Sequence, residues 1–154
     1  MKLYLMRHGE ALHPSIDPEM HLSPRGRAEV VKMAGYLKRP EAAIDAIWHS
    51  PKARAVETAQ TVAEVLGFDP KRLQTQVDLV PEAGAEAAKA RIEAAQQSGV
   101  RGLLIISHMP FLPKLTAALA GPSNQTDFET AGAACFTWKN GLWEREWSSA
   151  PARL

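Results

Sequence analysis

Two hydrophobic patterns alternate along this chain and predict a layered fold. Uninterrupted apolar runs are typical of buried parallel strands, whereas apolar residues recurring every three or four positions are typical of amphipathic helices. The runs predict strands at Lys2 to Met6, Ala43 to Trp48 and Gly102 to Ser107, and a weaker one at Arg72 to Val77. Helical spacing predicts helices over about 24–38, 51–66, 85–98 and 110–120. This alternation indicates an α/β fold, a three-layer sandwich whose mainly parallel central sheet is flanked by helices.

Two of these helices have recognisable starts. Ser23 precedes Pro24 and Ser50 precedes Pro51, and a capping hydroxyl followed by proline at the first helical position is a common N-terminal signal. In the first helix, helical spacing predicts a buried face made of Ala28, Val31, Ala34 and Leu37.

The end of the chain predicts a β-hairpin. Residues 135–138 and 142–147 flank Lys139-Asn140-Gly141, and Asn-Gly is a strong signal for a tight hairpin turn. We expect the tryptophans of this hairpin to pack across its strands. Loops are predicted at 11–22, 80–84 and 121–131, and a frayed end at 148–154.

Composition narrows the class of protein. The 154 residues suit one domain, 1–154, with 45% hydrophobic and 23% charged residues. A net charge of +1 gives no electrostatic reason to expect binding to nucleic acid or to an anionic membrane. The single cysteine, Cys135, fits a buried apolar position in a reducing compartment. The residues before Arg7 are too few for a signal peptide, so we expect a cytoplasmic protein.

Three predicted strands end in residues suited to phosphate chemistry. Arg7-His8 follows the first strand, Ser50 and then Arg54 follow the second, and His108 follows the Gly102 to Ser107 strand. Parallel strands bring their carboxyl ends to one crevice, so we expect these side chains to converge. Arginine forks match phosphate oxygens, and a neutral imidazole nitrogen is a nucleophile. The combination indicates phosphoryl transfer.

Four motifs, in order, resemble the histidine phosphatase superfamily, which includes the phosphoglycerate mutases. They are Leu5-Met6-Arg7-His8-Gly9-Glu10-Ala11, the segment from Leu22 to Ala28, Ser50-Pro51-Lys52-Ala53-Arg54-Ala55 with Thr58, and Ile106-Ser107-His108. The chain lacks the large insertions of the mutases and is most similar to the SixA-type phosphohistidine phosphatases, which remove phosphate from a histidine on a signalling phosphotransfer domain.

The resemblance implies a role for each matching residue. His8 would attack phosphorus and become phosphorylated, while Arg7, Arg54 and His108 would hold the phosphoryl oxygens. Glu82 lies roughly where relatives carry an acidic proton donor, although Val80-Pro81-Glu82-Ala83-Gly84 matches the mutase pattern poorly. Glu10 is a second candidate acid, and Glu10 and Ser50 are candidates for contact with the substrate. A phosphoramidate has a better leaving group than an alkyl ester, so a strong acid would matter less.

Other interpretations stay open at this point. The substrate is a phosphorylated protein with a histidine phosphotransfer domain or, alternatively, a small phosphomonoester, and a phosphoprotein-binding module with weak turnover is a third hypothesis. A metal site at His13, Asp17 and His21 matches no compact ligand motif. The resemblance implies no cofactor and no metal, and we expect a monomer.

Overall fold

The computed structural model describes residues 1–154. Ten main elements follow one another along the chain. In order they are β1 (Lys2–Arg7), α1 (Pro24–Leu37), β2 (Ala46–His49), α2 (Ala53–Leu66), β3 (Gln74–Thr75), α3 (Glu86–Gln97), β4 (Gly102–Ser107), α4 (Phe111–Ala120), β5 (Ala133–Lys139) and β6 (Leu142–Ser149). Short 3₁₀ helices lie at Pro40–Ala42, Pro70–Arg72, Val77–Leu79, Pro122–Asn124 and Pro151–Arg153.

One six-stranded sheet organises the molecule, with strand order β3-β2-β4-β1-β5-β6. The strands β3, β2, β4 and β1 are parallel to one another, and β5 joins β1 antiparallel before turning into β6. The predicted α/β class and the C-terminal hairpin are therefore confirmed. Because β1, β2 and β4 are parallel neighbours, their carboxyl ends lie together at one end of the sheet.

Strand periodicity divides the core between the two faces of the sheet. Successive side chains of a strand point to opposite faces. Accordingly Leu3 and Leu5 pack in a cluster with residues of α3 and α4, whereas Tyr4 and Met6 pack in a second cluster with residues of α1 and α2. Helices thus cover both faces, which confirms the three-layer sandwich. None of the helices is long and apolar enough to cross a bilayer.

The buried face of α1 agrees with the prediction at Ala34 and Leu37 and differs from it near the start of the helix. Val30 and Met33 are fully buried, whereas Ala28 and Val31 face solvent and Val31 is 44% exposed. The orientation follows from a close contact at the start of the helix, where a side chain on Gly26 would overlap the backbone of Glu10. That contact turns Gly26 inward, and Val30 and Met33 share the buried face with Ala34 and Leu37.

Three boundaries were also predicted wrongly. The second strand begins only at Ala46, because Pro40–Ala42 forms a 3₁₀ turn and Ala43 takes a left-handed conformation with φ 49°. The weak strand at Arg72 to Val77 shrinks to Gln74–Thr75. The next helix begins at Ala53 rather than Pro51, and Ser50 Oγ accepts instead from Lys52 N at 3.2 Å.

The C-terminal segment is ordered, which contradicts the expected fraying. β6 continues to Ser149, and Ala150 is only 1% exposed before the closing 3₁₀ turn. Within the hairpin, Trp138 lies opposite Trp143 and the two rings pack edge to face, with centroids 5.4 Å apart. The predicted cross-strand packing is therefore confirmed for this pair. Cys135 is fully buried, as its interpretation as a small apolar residue requires.

Candidate active site

Four side chains meet at the carboxyl ends of β1, β2 and β4. The rings of His8 and His108 lie 5.0 Å apart between centroids and are inclined by 56°. The positive charges of Arg7 and Arg54 lie close enough to lower the pKa of both histidines. We call Arg7, His8, Arg54 and His108 the arginine–histidine cluster. The convergence expected from strand order is present in the structure.

The tautomer of His8 is set by a backbone carbonyl. Its Nδ1 lies 2.7 Å from the carbonyl oxygen of Gly9, and a carbonyl only accepts hydrogen bonds. Nδ1 therefore carries the proton, and the lone pair is on Nε2. Burial, reinforced by the charges of Arg54 and Arg7 and opposed by the Gly9 bond, lowers the pKa of His8 to about 4. The ring is neutral at pH 7 with a nucleophilic nitrogen.

Thr58 connects this nucleophile loop to the helix that carries Arg54. The hydroxyl of Thr58 accepts from the backbone N–H of Gly9 at 3.0 Å and donates to the carbonyl of Arg54 at 2.7 Å. Thr58 is fully buried, so both bonds are shielded from water. Through Thr58 the positions of His8 and Arg54 depend on each other.

His108 has one nitrogen bonded and the other unpaired. Its Nε2 lies 2.7 Å from Ser50 Oγ, and its buried Nδ1 makes no hydrogen bond within the protein. Burial is the largest cause of a pKa lowered to about 3, followed by the charges of His8 and Arg54. His108 is therefore neutral at pH 7 and has one buried nitrogen without a hydrogen-bond partner in the protein.

The two arginines supply positive charge without an anionic partner in contact. Arg7 Nη1 donates to the carbonyl of Phe128 at 3.0 Å, while its buried Nε makes no hydrogen bond in the protein. Burial and the charge of Arg54 lower the pKa of Arg7. Burial likewise lowers the pKa of Arg54, whereas the charge of Glu82 raises it. Half-buried cations of this kind favour an anion among them, and guanidinium forks suit phosphate.

The other predicted site residues lie around this cluster in different ways. Glu82 is an exposed residue on the turn before α3, within electrostatic reach of Arg54. The Glu10 carboxylate accepts from Ser23 Oγ at 2.7 Å, which ties it to the start of α1. Ser50 is fully buried and bonded to His108.

The remaining histidines are engaged elsewhere. His49 is buried, and its Nδ1 lies 2.9 Å from the carbonyl oxygen of Ser50. On the 11–22 loop, His21 pairs with Asp17 at 2.7 Å, while His13 contacts Ser15 at 2.8 Å instead of joining that pair. No group of three or more His, Cys, Asp or Glu side chains is arranged to hold a metal ion.

The cavities of the molecule lie away from the arginine–histidine cluster, whose two histidines are buried in the protein. The largest cavity of the molecule, about 490 Å³, is lined by residues such as Leu37, Ile44 and Leu66, and none of the four cavities is lined by a cluster residue. Small-molecule sites are usually concave pockets that enclose most of the ligand. The cluster residues line no such pocket.

Two hydrogen-bond partners in the site could not be predicted from the sequence. The carbonyls of Gly9 and Phe128 orient His8 and Arg7, and a backbone carbonyl has no signal in the sequence. Thr58 does have one, because it lies four residues after Arg54 and therefore one helical turn away on the same face. Thr58 belongs to the third sequence motif, but no role was predicted for it.

Comparison with known proteins identifies the class to which this fold and site belong. The chain belongs to the histidine phosphatase superfamily (branch 1), whose family model matches residues 3–80. It is a phosphatase, a hydrolase of the type that this superfamily defines. Within the superfamily it is similar to the SixA type, as the sequence motifs predicted.

The similarity to SixA extends over the whole chain. The chain is 30% identical over 156 residues to phosphohistidine phosphatase SixA of Escherichia coli (strain K12), covering 100% of this chain and 96% of that protein. It is 28% identical to the SixA homolog of Haemophilus influenzae, over 90% of this chain and 88% of that one. The structure of the protein histidine phosphatase SixA complexed with tungstate superposes with a TM-score of 0.91, at 29% identity and 99% coverage of both chains.

Proposed function

We propose that this phosphatase hydrolyses phosphohistidine on a protein through a covalent phosphohistidine formed on His8. The observation that carries the mechanism is the hydrogen bond from His8 Nδ1 to the Gly9 carbonyl, because it leaves the Nε2 lone pair free to attack. The neutral state of the ring at pH 7 supports the same role.

The reaction has two steps. His8 Nε2 forms a bond to phosphorus as the bond from phosphorus to the substrate imidazole breaks, and the leaving nitrogen takes up a proton. Water then attacks phosphorus, the bond to Nε2 breaks, and inorganic phosphate leaves while His8 regains its neutral form. Arg7, Arg54 and His108 hold the phosphoryl oxygens, whose charge such groups stabilise in the transition state.

Two features support a phosphohistidine protein as the substrate. No cavity is lined by the cluster residues, which argues against an enclosed small-molecule site and favours a phosphate presented on a protein surface. The only carboxylate with an electrostatic effect on Arg54 is that of Glu82, which is exposed to solvent. An imidazole leaving group requires less help from a proton donor than an alkoxide does, so this mechanism does not depend on a carboxyl group held inside the site. The relatives named phosphohistidine phosphatases point to the same class of substrate.

Phosphate release from two substrates tests the proposal. The substrates are a phosphorylated histidine phosphotransfer domain and a generic aryl phosphate, each assayed with the wild type and with His8→Ala. We expect release from the phosphorylated domain to have a kcat/KM at least about 100-fold higher than release from the aryl ester. Removing the nucleophile in His8→Ala should lower kcat/KM for the phosphorylated domain by about 10³-fold or more, as in other covalent mechanisms.

A matched control and two contrary outcomes make the test decisive. His13→Ala removes a histidine that is exposed on the 11–22 loop, and it should keep full activity. Preference for the aryl phosphate would move the function to a small-molecule phosphomonoesterase. Activity that survives in His8→Ala would refute the covalent mechanism.

A further inference from the structure

We propose that Ser50 is a positioning residue that holds His108 in the tautomer with the proton on Nδ1, so that Nδ1–H donates to a phosphoryl oxygen. The proposal rests on the proposed assignment of His108 to the phosphoryl group. It adds which nitrogen makes that contact and what keeps the proton there.

The direction of the bond follows from the partners of Ser50. Its Oγ accepts from the backbone N–H of Lys52 at 3.2 Å, and a backbone N–H can only donate. The Ser50 hydroxyl proton is fully buried and requires an acceptor of its own. The acceptor in contact is His108 Nε2 at 2.7 Å, so Nε2 presents its lone pair to Ser50.

The protonation state of His108 then places its single proton. Burial among positive groups lowers the pKa of His108 to about 3, so the ring carries one proton at pH 7. Because Nε2 accepts from Ser50, that proton is on Nδ1. Nδ1 is buried without a hydrogen-bond partner in the protein. Leaving a buried donor unpaired is costly, which favours an incoming oxygen that can accept from it.

The two histidines of the site would thus share a tautomer and use it in opposite ways. In His8, the Gly9 carbonyl occupies Nδ1–H and leaves the Nε2 lone pair to attack phosphorus. In His108, the Ser50 hydroxyl occupies the Nε2 lone pair and leaves Nδ1–H to bind oxygen. The opposite tautomer of His108 would direct a lone pair at a phosphoryl oxygen, which is repulsive.

Nitrogen NMR of the histidine side chains tests the tautomer directly. A ring nitrogen that bears a proton resonates well apart from one that does not, and the five histidines are assigned by single substitution to Gln. We expect wild-type His108 to be neutral and protonated at Nδ1 from pH 5 to pH 8. In Ser50→Ala we expect a mixture of the two neutral tautomers. A wild-type His108 protonated at Nε2 would overturn the proposal without any variant having to fold.

Binding of inorganic phosphate and turnover provide a second readout with a matched control. Ser107→Ala also removes a fully buried serine hydroxyl, directly before His108, but that hydroxyl donates to the Leu79 carbonyl at 2.6 Å. We expect Ser50→Ala to weaken phosphate binding and lower kcat/KM by about 10-fold or more, and Ser50→Thr to restore most of both. Ser107→Ala should change neither value by more than about 3-fold.

The outcomes separate this proposal from the proposed function. Equal losses in Ser50→Ala and Ser107→Ala, with an unchanged His108 spectrum in both, would reduce Ser50 to a packing role. If His8→Ala is inactive but His108 in the wild type is protonated at Nε2, the covalent mechanism stands and the proposed role of Ser50 is rejected. Full activity in His8→Ala would reject the mechanism while leaving the measured tautomer valid.

Discussion

Two groups of titratable side chains lie along β1, and they differ in how their charges are balanced. At the carboxyl end of β1, the arginine–histidine cluster combines two cations with two histidines whose pKa values are lowered, and no carboxylate contacts them. Roughly 17 Å away at strand spacing, near the amino end, lie Lys2, Tyr4, Cys135 and Glu146, which we call the Lys2 cluster. There Lys2 Nζ lies 3.1 Å from Glu146 Oε2, and Cys135 Sγ contacts the same oxygen at 3.7 Å.

The pKa shifts of Lys2 and Glu146 have a different origin from those of the arginine–histidine cluster. The hydrogen bond that Lys2 donates to Glu146 raises the pKa of Lys2. Burial alone would raise the pKa of Glu146, but the bond and the attraction to Lys2 outweigh it and lower that pKa. In the arginine–histidine cluster, burial lowers the pKa of every member, and neighbouring positive charges lower the pKa of Arg7, His8 and His108 further. The Lys2 cluster satisfies its own charges, whereas the other cluster is complete only with an anion. Functional sites are commonly found where pKa values are perturbed in this uncompensated way.

Removing one cation from the arginine–histidine cluster should have the largest effect. We expect Arg54→Ala to lower kcat/KM by about 10²- to 10³-fold, because a group that stabilises transition-state charge is lost. Arg54→Lys should recover only part of this, since an ammonium lacks the bidentate fork. Because Arg54 lies among like charges, the free energy of unfolding should stay the same or rise in Arg54→Ala. Steady-state kinetics and urea unfolding measure the two effects.

A surface arginine on α1 provides the control for that experiment. Arg25→Ala removes a guanidinium that is 76% exposed at the side chain and pairs loosely with Glu29. Neither activity nor stability should change measurably in this variant. A loss of stability in Arg54→Ala comparable with its loss of activity would show that Arg54 stabilises the fold. The difference in charge balance would then not distinguish the two clusters.

The lowered pKa values of the buried histidines should make the free energy of unfolding depend on pH in a defined window. An unfolded histidine titrates near pH 6.5, whereas folded His8 takes up a proton only near pH 4. Between these values the unfolded chain binds more protons, so the free energy of unfolding falls as the pH is lowered from about 6.5 to about 4. The contribution of His8 over this window is on the order of 3 kcal/mol.

Urea unfolding at a series of pH values measures this contribution as a difference between variants. His8→Gln should flatten the dependence between pH 4 and pH 6.5, while His13→Gln, at an exposed position, should leave it as in the wild type. Taking the difference between variants removes the background from carboxylates that titrate in the same range. Parallel curves for the wild type and His8→Gln would contradict the depressed pKa of His8.

The contrast also explains which features could be predicted from the sequence. The parallel order of β1, β2 and β4 and the polar residues at their ends are local signals, so the convergence of Arg7, His8, Arg54 and His108 was predictable. The contact that Arg7 makes with the Phe128 carbonyl was not, because it joins segments 121 residues apart through a loop without a pattern. The bond from His8 to the Gly9 carbonyl could not be predicted either, since every residue has a backbone carbonyl.

The errors in the fold prediction have a common physical cause. Propensity predicted a helix start at Ser50-Pro51, but the Ser50 hydroxyl is bonded to His108, a residue 58 positions away. The first half of the α1 face was predicted wrongly because Gly26 packs against the Glu10 backbone. In both cases a tertiary contact beside the active site overrides the local signal. Departures from local rules are expected at functional sites.

The smallest expected effect is at the Lys2 cluster, in Glu146→Gln. The Lys2–Glu146 pair is about one-third exposed at both side chains, and exposed ion pairs contribute about 0–1 kcal/mol. Thermal unfolding should shift by no more than about 4 °C, less in high salt, and kcat/KM should stay at the wild-type value. Gln keeps an oxygen that accepts from Lys2 and Cys135, so only the charge is tested. A fall in kcat/KM without a matching loss of stability would mean that the two clusters are coupled along β1, and charge balance would then no longer distinguish the functional cluster from the structural one.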